Sequence, residues 1–200
     1  MTAQYFIWIL ASYLLGSLPV GVLLARIKGR DPRKTGSGNI GATNVMRTAG
    51  KTMGIITLLG DALKGFLPVW LAMWLHLPEV LVALVGFAAF LGHLFPLYLR
   101  FRGGKGIATA LGVFLAFSYV AVLIELVIFA GLLWKWRYVS LGSLLCAALM
   151  PFLLLALGSP VPYVTLAAVI AVLAIAKHKE NIKRLLAGTE NKMGGSRTVA

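Results

Sequence analysis

Residues 107–134 read IATALGVFLAFSYVAVLIELVIFAGLLW, and whether this run crosses a membrane once or twice decides the fold. Arg100, Arg102 and Lys105 precede it, and Lys135 and Arg137 follow it. Lys and Arg accumulate in cytoplasmic loops, so both flanks share a side only if the run crosses an even number of times. The charges therefore predict two short helices that turn near Ser118 and Tyr119. One long tilted helix is the alternative.

The rest of the chain supports a membrane setting. Of its 200 residues, 60% are hydrophobic and 12% charged, with a mean hydropathy of +0.89. Soluble proteins average roughly 45–50% apolar and about 25% charged. That difference excludes a disordered chain, a collagen-like repeat and an ordinary soluble domain, leaving an integral membrane protein. Besides the opening stretch, runs long enough to span lie at Tyr5–Ala25, Met53–Leu75, Val80–Leu99 and Val139–Ala176, the last broken at Gly158–Pro162 by a turn. No basic residue precedes Arg26, so the first run is expected to remain as a helix rather than serve as a signal peptide. The single cysteine, Cys146, allows no internal disulfide.

The basic residues fall in four groups. Arg26–Lys51 holds seven, Arg100–Lys105 three, Lys135 and Arg137 two, and Lys177–Arg197 six of the chain's 19, leaving Lys64 alone within a span. The connections around His76–Glu79 and Gly158–Pro162 carry none. The expected fold is all-α and polytopic, with seven transmembrane helices, the N-terminus outside and the C-terminus cytoplasmic. Residues 1–190 form one integral-membrane domain, and residues 191–200 are expected to be a mobile tail. A net charge of +13 placed between apolar runs points to anionic lipid or phosphorylated substrate, with no nucleic acid as partner.

Three polar segments share the cytoplasmic face in this topology. In Thr35–Arg47, closely spaced glycines permit a nest of backbone amides that binds phosphate oxygens, while Ser37, Thr43 and Asn44 add donors and Arg47 a bidentate charge. A flexible polar connection is the other reading of that loop. The segments Gly92–Pro96 and Phe101–Thr109 contain a glycine-flanked Lys105 entering a helix, a setting for an anion. This is not a nucleotide-binding P-loop, because Leu99 and Gly106 occupy positions that need Gly and Ser or Thr. Arg100 and Arg102 read as orientation charges, and His93 as a structural hydrogen-bonding group. In Lys177–Glu190, His178, Asn181 and Leu185 follow helical spacing, and Gly188 suits a helix stop. An amphipathic helix on anionic lipid accounts for Lys179 and Lys183 but not for His178 and Asn181.

Within the spans lie Asp61, Lys64 and Glu125. Asp61 and Lys64 are three apart on one helix and can neutralise each other, which favours a structural or supporting role. The role of Glu125 stays open. The histidines are scattered, so no metal site and no cofactor is expected. None of the three is followed five residues later by Asp, so a His and Asp acyltransferase dyad is absent from the sequence.

Taken in order, GSGNIGATNVMR at Gly36–Arg47, GHLFP with FRGGKGIAT at Gly92–Thr109, and KHKENIKRLLAGTE at Lys177–Glu190 resemble the bacterial acyl-phosphate:glycerol-3-phosphate acyltransferases, the PlsY family. The resemblance covers the chain up to Glu190. It implies a seven-helix enzyme of the bacterial inner membrane with its active site on the cytoplasmic face. It also implies transfer of a fatty acyl group from acyl phosphate to the 1-hydroxyl of sn-glycerol 3-phosphate, giving lysophosphatidic acid and phosphate, the first step of phospholipid synthesis. Ser37, Arg47, Lys105, His178 and Asn181 are the catalytic residues so expected. Gly38, Asn39, Gly41, Thr43, Asn44, Gly103, Gly104, Ser143 and Glu190 are the expected substrate- and phosphate-binding residues.

Acyl phosphate is a mixed anhydride with a good leaving group, so positioning two anions and stabilising developing charge should suffice. Direct attack by the glycerol hydroxyl, without an acyl-enzyme, is the expected route. His178 or a substrate phosphate oxygen would take the proton, and a Ser37 nucleophile is the third possibility. A small secondary transporter or channel for an organic phosphate, built on Asp61, Lys64 and Glu125, is the competing reading.

Overall fold

The structure is a computed structural model that describes residues 3–194; all that follows refers to those residues. They form ten α-helices and one 3-10 turn, without a strand. The helices are α1 Ala3–Gly16, α2 Val20–Ile27, α3 Ala42–Ala49, α4 Lys51–Trp74, α5 Glu79–Leu94, α6 Ile107–Phe117, α7 Tyr119–Trp136, α8 Val139–Ala156, α9 Val161–Lys177 and α10 Lys179–Leu186.

The opening stretch does divide at Ser118. That residue is extended, with φ −157°, and its hydroxyl accepts the Ala121 amide at 3.2 Å to cap α7. The break in residues 139–176 also falls where expected, with Gly158 in the left-handed region at φ +69° before Pro160 opens α9. The first span carries an interruption that hydropathy hides: Ser17–Pro19 separate α1 from α2, although residues 3–27 together remain long and apolar enough to cross.

Five spans meet the length and composition needed to cross a membrane, and six do if α9 and α10 count as one bent span. Helix α6 has 11 residues, about 17 Å of rise against a hydrocarbon layer of about 30 Å. By length alone, then, the number of crossings falls short of the expected seven.

Small residues set how the bundle closes. A Cβ on Gly65 would overlap the Thr109 carbonyl, and one on Gly112 the Ala62 carbonyl, so α4 and α6 meet backbone to backbone. The dry interior is formed by Val69 from α4, Val82, Val85 and Phe90 from α5, Val113 from α6, Leu154 from α8 and Ile170 from α9, each 1% exposed or less. Pro68 and Pro151 sit inside α4 and α8, where neighbouring helices can satisfy the freed carbonyls.

A buried polar cluster ties this interior to the break within the first span. Lys64 Nζ lies 2.8 Å from Asp61 Oδ1 and donates to the Leu18 carbonyl at 2.8 Å, in the break between α1 and α2. His93 Nδ1 stands 3.6 Å from the same carboxylate oxygen. Asp61 and Lys64 are thus paired within the bundle, as their spacing suggested, and each is under 5% exposed. Such a pair persists only when geometry and extra hydrogen bonds offset desolvation.

Candidate active site

One end of the bundle gathers the ends of four elements. The loop before α6 brings Lys105, whose ammonium donates a hydrogen bond to Asn181 Oδ1. The other end of that amide donates to Glu190 Oε1 at 2.8 Å. Ser140, in the first turn of α8, donates to the same oxygen at 3.0 Å, and Arg184 Nε donates to Glu190 Oε2 at 2.7 Å. Arg47, from α3, reaches the Asn191 carbonyl at 3.5 Å. Two residues on, the Met193 amide donates to the Arg137 carbonyl at 2.7 Å, and Arg137 Nη2 donates to the Met193 carbonyl at 2.9 Å. The expected tail from Asn191 therefore begins with defined contacts; its remainder, 195–200, lies outside the described residues.

These contacts place Lys105, before the opening stretch, and Arg137 and Ser140, after it, at the same end of the molecule. Both flanks of residues 107–134 therefore lie at one end of the molecule.

Local sequence explains how Glu190 returns to this cluster. Gly188 adopts φ +68°, its amide donates to the Leu185 carbonyl at 3.2 Å, and the Thr189 amide donates to the Arg184 carbonyl at 2.8 Å. This paired-bond termination at a left-handed glycine turns the chain back on the helix it has just left. His178 sits at a 62° bend between α9 and α10. The expected continuous helical face through His178, Asn181 and Leu185 is therefore replaced by a corner. The bend buries both polar residues, His178 at 3% and Asn181 at 6% exposure.

The loop between α2 and α3 is organised by Asn44. Its Nδ2 donates to the carbonyls of Pro32 at 2.8 Å, Asn39 at 2.8 Å and Thr35 at 3.1 Å, while its Oδ1 accepts the Ser37 amide at 2.8 Å. The donor expected of Asn44 for phosphate is thus spent on carbonyls, because a buried loop backbone must find partners of its own. Asn39 Oδ1 accepts the Gly41 amide at 2.8 Å, holding the entry to α3. Ser37 and Gly38 are exposed on this loop and Thr43 in the first turn of α3, and Gly36 and Gly38 take left-handed φ values of +65° and +72°.

Gly103 and Gly104 pack against the end of α5. The Gly104 amide donates to the His93 carbonyl at 3.1 Å, and a Cβ on Gly104 would overlap His93 Nε2. The Asp61, Lys64 and His93 cluster is thereby in contact with the residue next to Lys105.

Electrostatics follows from this crowding of cations. Burial, with Arg184 and Arg47 nearby, outweighs the attraction of Glu190 and brings Lys105 down to about 8. For Glu190, burial works upward, but hydrogen bonds from Arg184, Asn181 and Ser140 win and hold it below the ordinary carboxylate value. Past the end of α9, burial pushes His178 down to about 4, against a smaller rise from its bond to the Ala174 carbonyl. Its Nδ1 donates to that carbonyl at 2.7 Å, so the neutral ring presents Nε2 as an acceptor. Three cations around one engaged carboxylate leave an excess of positive charge, a setting for a phosphate. No three His, Cys, Asp or Glu side chains gather to hold a metal ion among the described residues.

Ser143, expected at the site, is buried on α8 one turn further from this end than Ser140, whose hydroxyl makes the contact with Glu190. Arg184 is a site residue that the sequence reading does not single out. Its spacing of six before Glu190, across a helix-stopping Gly188, was the signal that could have paired them.

Residues 6–188 match the family model described as glycerol-3-phosphate acyltransferase. The chain is 54% identical over 191 residues to the glycerol-3-phosphate acyltransferase of Geotalea daltonii, covering 96% of this chain and 98% of that protein. Against the enzyme of the same name from Geobacter sulfurreducens it is 55% identical over 181 residues, covering 90% and 93%. Two crystal structures of PlsY, an integral membrane glycerol 3-phosphate acyltransferase, superpose on it. The glycerol 3-phosphate form gives a TM-score of 0.93 at 40% identity, and the lysophosphatidic acid form 0.90 at 39%, each covering 96% of both chains.

Proposed function

The chain belongs to the glycerol-3-phosphate acyltransferase family, and from that membership we propose that the cationic pocket at Arg47, Lys105 and Arg184 holds the phosphate of glycerol 3-phosphate beside an acyl phosphate donor. The protein is an integral-membrane acyltransferase that acylates glycerol 3-phosphate to lysophosphatidic acid, a reaction of phospholipid synthesis. The observation that supports the site is that Lys105 and Arg184 bracket the Asn181 and Glu190 pair while Arg47 stands close enough to Lys105 to disfavour its charge.

In the proposed reaction the 1-hydroxyl oxygen attacks the acyl carbonyl carbon. The new C–O ester bond forms as the bond from carbonyl carbon to phosphate oxygen breaks, and inorganic phosphate leaves with the bonding pair. Lys105 and Arg47 stabilise negative charge on the anhydride and the departing phosphate, a service worth most where water is excluded. The hydroxyl proton passes to His178 Nε2 or to a phosphate oxygen of the substrate. Asn44, Asn39 and Gly41 shape the Ser37 loop, Gly103 and Gly104 let the Lys105 loop approach α5, and Glu190 fixes Asn181. Ser37 and Thr43 contribute hydroxyls to substrate; Ser143 supports α8 behind Ser140.

Comparing acyl phosphate, acyl-CoA and acyl carrier protein as donors in detergent micelles tests the donor, with product expected from acyl phosphate alone. A quench of enzyme with labelled acyl phosphate and no acceptor tests the route. Stoichiometric acyl label on Ser37, released on adding glycerol 3-phosphate, overturns direct transfer.

For orientation, the reading is seven crossings with the site on the cytoplasmic side of a bacterial inner membrane, the N-terminus outside and the C-terminus inside. Helix α6 is the short leg of that reading, and the non-helical residues 102–106 lead into it from the side that carries the site. External labelling of a cysteine placed at Lys135 in a Cys146→Ala background would overturn this topology.

A further inference from the structure

Beside the active-site end, two adjoining cavities of about 440 and 360 Å³ share Arg33, Tyr98 and Leu99 as a common wall. The larger is completed by Arg100 and Arg102, the smaller by Arg26 together with Leu18, Pro19, Val22 and Leu23. One end of the combined groove is therefore cationic and the other aliphatic. We infer that this groove binds one acidic glycerophospholipid of the surrounding bilayer, its phosphodiester on the arginines and an acyl chain along the break between α1 and α2.

Three observations select that occupant. The first is charge. Arg33 is already matched by Asp31 through a forked pair at 2.9 and 2.6 Å, whereas Arg26, Arg100 and Arg102 have no ion-pair partner among the described residues. Guanidinium groups left in excess around one cavity favour a phosphate, whose oxygens match their fork. The second is the apolar wall. Leu18 and Leu23 are 39% and 51% exposed, and Ile27 on the same helix 72%, so the aliphatic end opens onto a face that in this membrane protein meets lipid chains. A free anion would use only the arginine end.

The third is separation from the reaction. The groove shares no side chain with the Arg47, Lys105, Asn181 and Glu190 cluster, so it does not hold the reacting phosphates. It is nevertheless built from the same two loops. Arg33 lies four residues before Ser37 and Arg102 three before Lys105. Arg100 and Phe101 hold left-handed φ values of +52° and +63° in the second of these loops, immediately before Arg102. A bound lipid bridging Arg33 to Arg100 and Arg102 would hold these loops in register, which makes turnover sensitive to acidic lipid.

The test uses the full-length protein in phosphatidylcholine vesicles with and without phosphatidylglycerol, alongside native mass spectrometry of retained lipid. Wild type should retain one phosphatidylglycerol and turn over several-fold faster when it is present. Near the membrane each such arginine contributes about 1 kcal/mol, so Arg100→Gln with Arg102→Gln should weaken retention roughly 20–30-fold. Arg26→Gln, on the exposed side of α2, should weaken it about 5-fold by itself. Both variants should keep wild-type turnover in phosphatidylcholine, a measurement that tests the acyltransferase chemistry separately from the groove. Retention of phosphatidylcholine and phosphatidylglycerol alike, or undiminished retention in both variants, overturns the inference. So does stimulation by inorganic phosphate alone, which would show a free-anion site, or by lysophosphatidate alone, which would make the groove a product site.

Discussion

Lys105, in the loop before α6, donates to the side-chain oxygen of Asn181, seventy-six residues further along the chain on α10. The other end of the same amide is held by Glu190. The asparagine thus faces a cation with its oxygen and an anion with its nitrogen, an arrangement that neither Asp nor Leu of similar size can satisfy.

Because burial brings Lys105 to about 8, its positive charge is complete below that pH and lost above it. The kcat/KM profile for glycerol 3-phosphate, which reports the free enzyme, should fall on a basic limb near pH 8. Saturating phosphate stabilises the ammonium, so the same limb in kcat should move to higher pH. In Lys105→Arg the limb should vanish, since a guanidinium does not titrate there, while activity drops through altered geometry. An unchanged basic limb in that variant would remove Lys105 from the assignment.

Asn181→Asp should be more damaging than Asn181→Ala. It sets a second carboxylate against Glu190, where the amide nitrogen now donates at 2.8 Å. Glu190→Gln should cost about 1.5–3 kcal/mol by weakening the bond to Arg184. The sign with pH follows from the lowered folded-state value of Glu190. Its contribution to stability is present above the ordinary carboxylate value of 4.5 and is lost as pH falls through the lower folded value. Thermal melts between neutral and acidic pH should therefore show a decline in wild type that Glu190→Gln flattens.

His178→Ala should lower turnover roughly 10²–10⁴-fold if Nε2 takes the hydroxyl proton. With the ring pushed to about 4, the acidic limb in kcat/KM belongs well below the ordinary histidine range. The substrate-phosphate route predicts a smaller loss, confined mainly to KM, with the acidic limb kept. Measuring both parameters against pH in His178→Ala separates the two.

Gly104→Ala places a methyl group into His93 Nε2. Overpacking of this kind costs roughly 1–3 kcal/mol, and the most compliant response is displacement of the Lys105 loop. KM for glycerol 3-phosphate should rise more than kcat falls, and His93→Ala in the same chain should partly restore it by opening space. A double variant no better than Gly104→Ala would sever the proposed link between the buried cluster and the loop.

The turn at Ser118 and the break at Gly158–Pro162 were legible because hydropathy and charge are sums over neighbouring residues, which no tertiary contact alters. The same holds for gathering Arg47, Lys105 and Arg137 on one side. The roles inside the cluster were less legible. Asn44 looked like a phosphate donor because it sits among glycines, yet three carbonyls from Pro32, Thr35 and Asn39 consume its amide. Ser143 is the serine the family resemblance points to, yet Ser140, one turn of α8 away, is the one that meets Glu190.

From the order of residues alone follow a polytopic helical membrane protein, its family, and three loops of matching charge, since burial in lipid and the exclusion of Lys and Arg from it act on each segment separately. The 62° corner at His178, the break at Ser17–Pro19 bridged by Lys64, the shortness of α6 and the return of Glu190 to Arg184 arise only when the helices are packed. Each depends on helix rotation and on loop closures spanning tens of residues, and a buried hydrogen bond forms only where those closures bring donor and acceptor within about 3 Å.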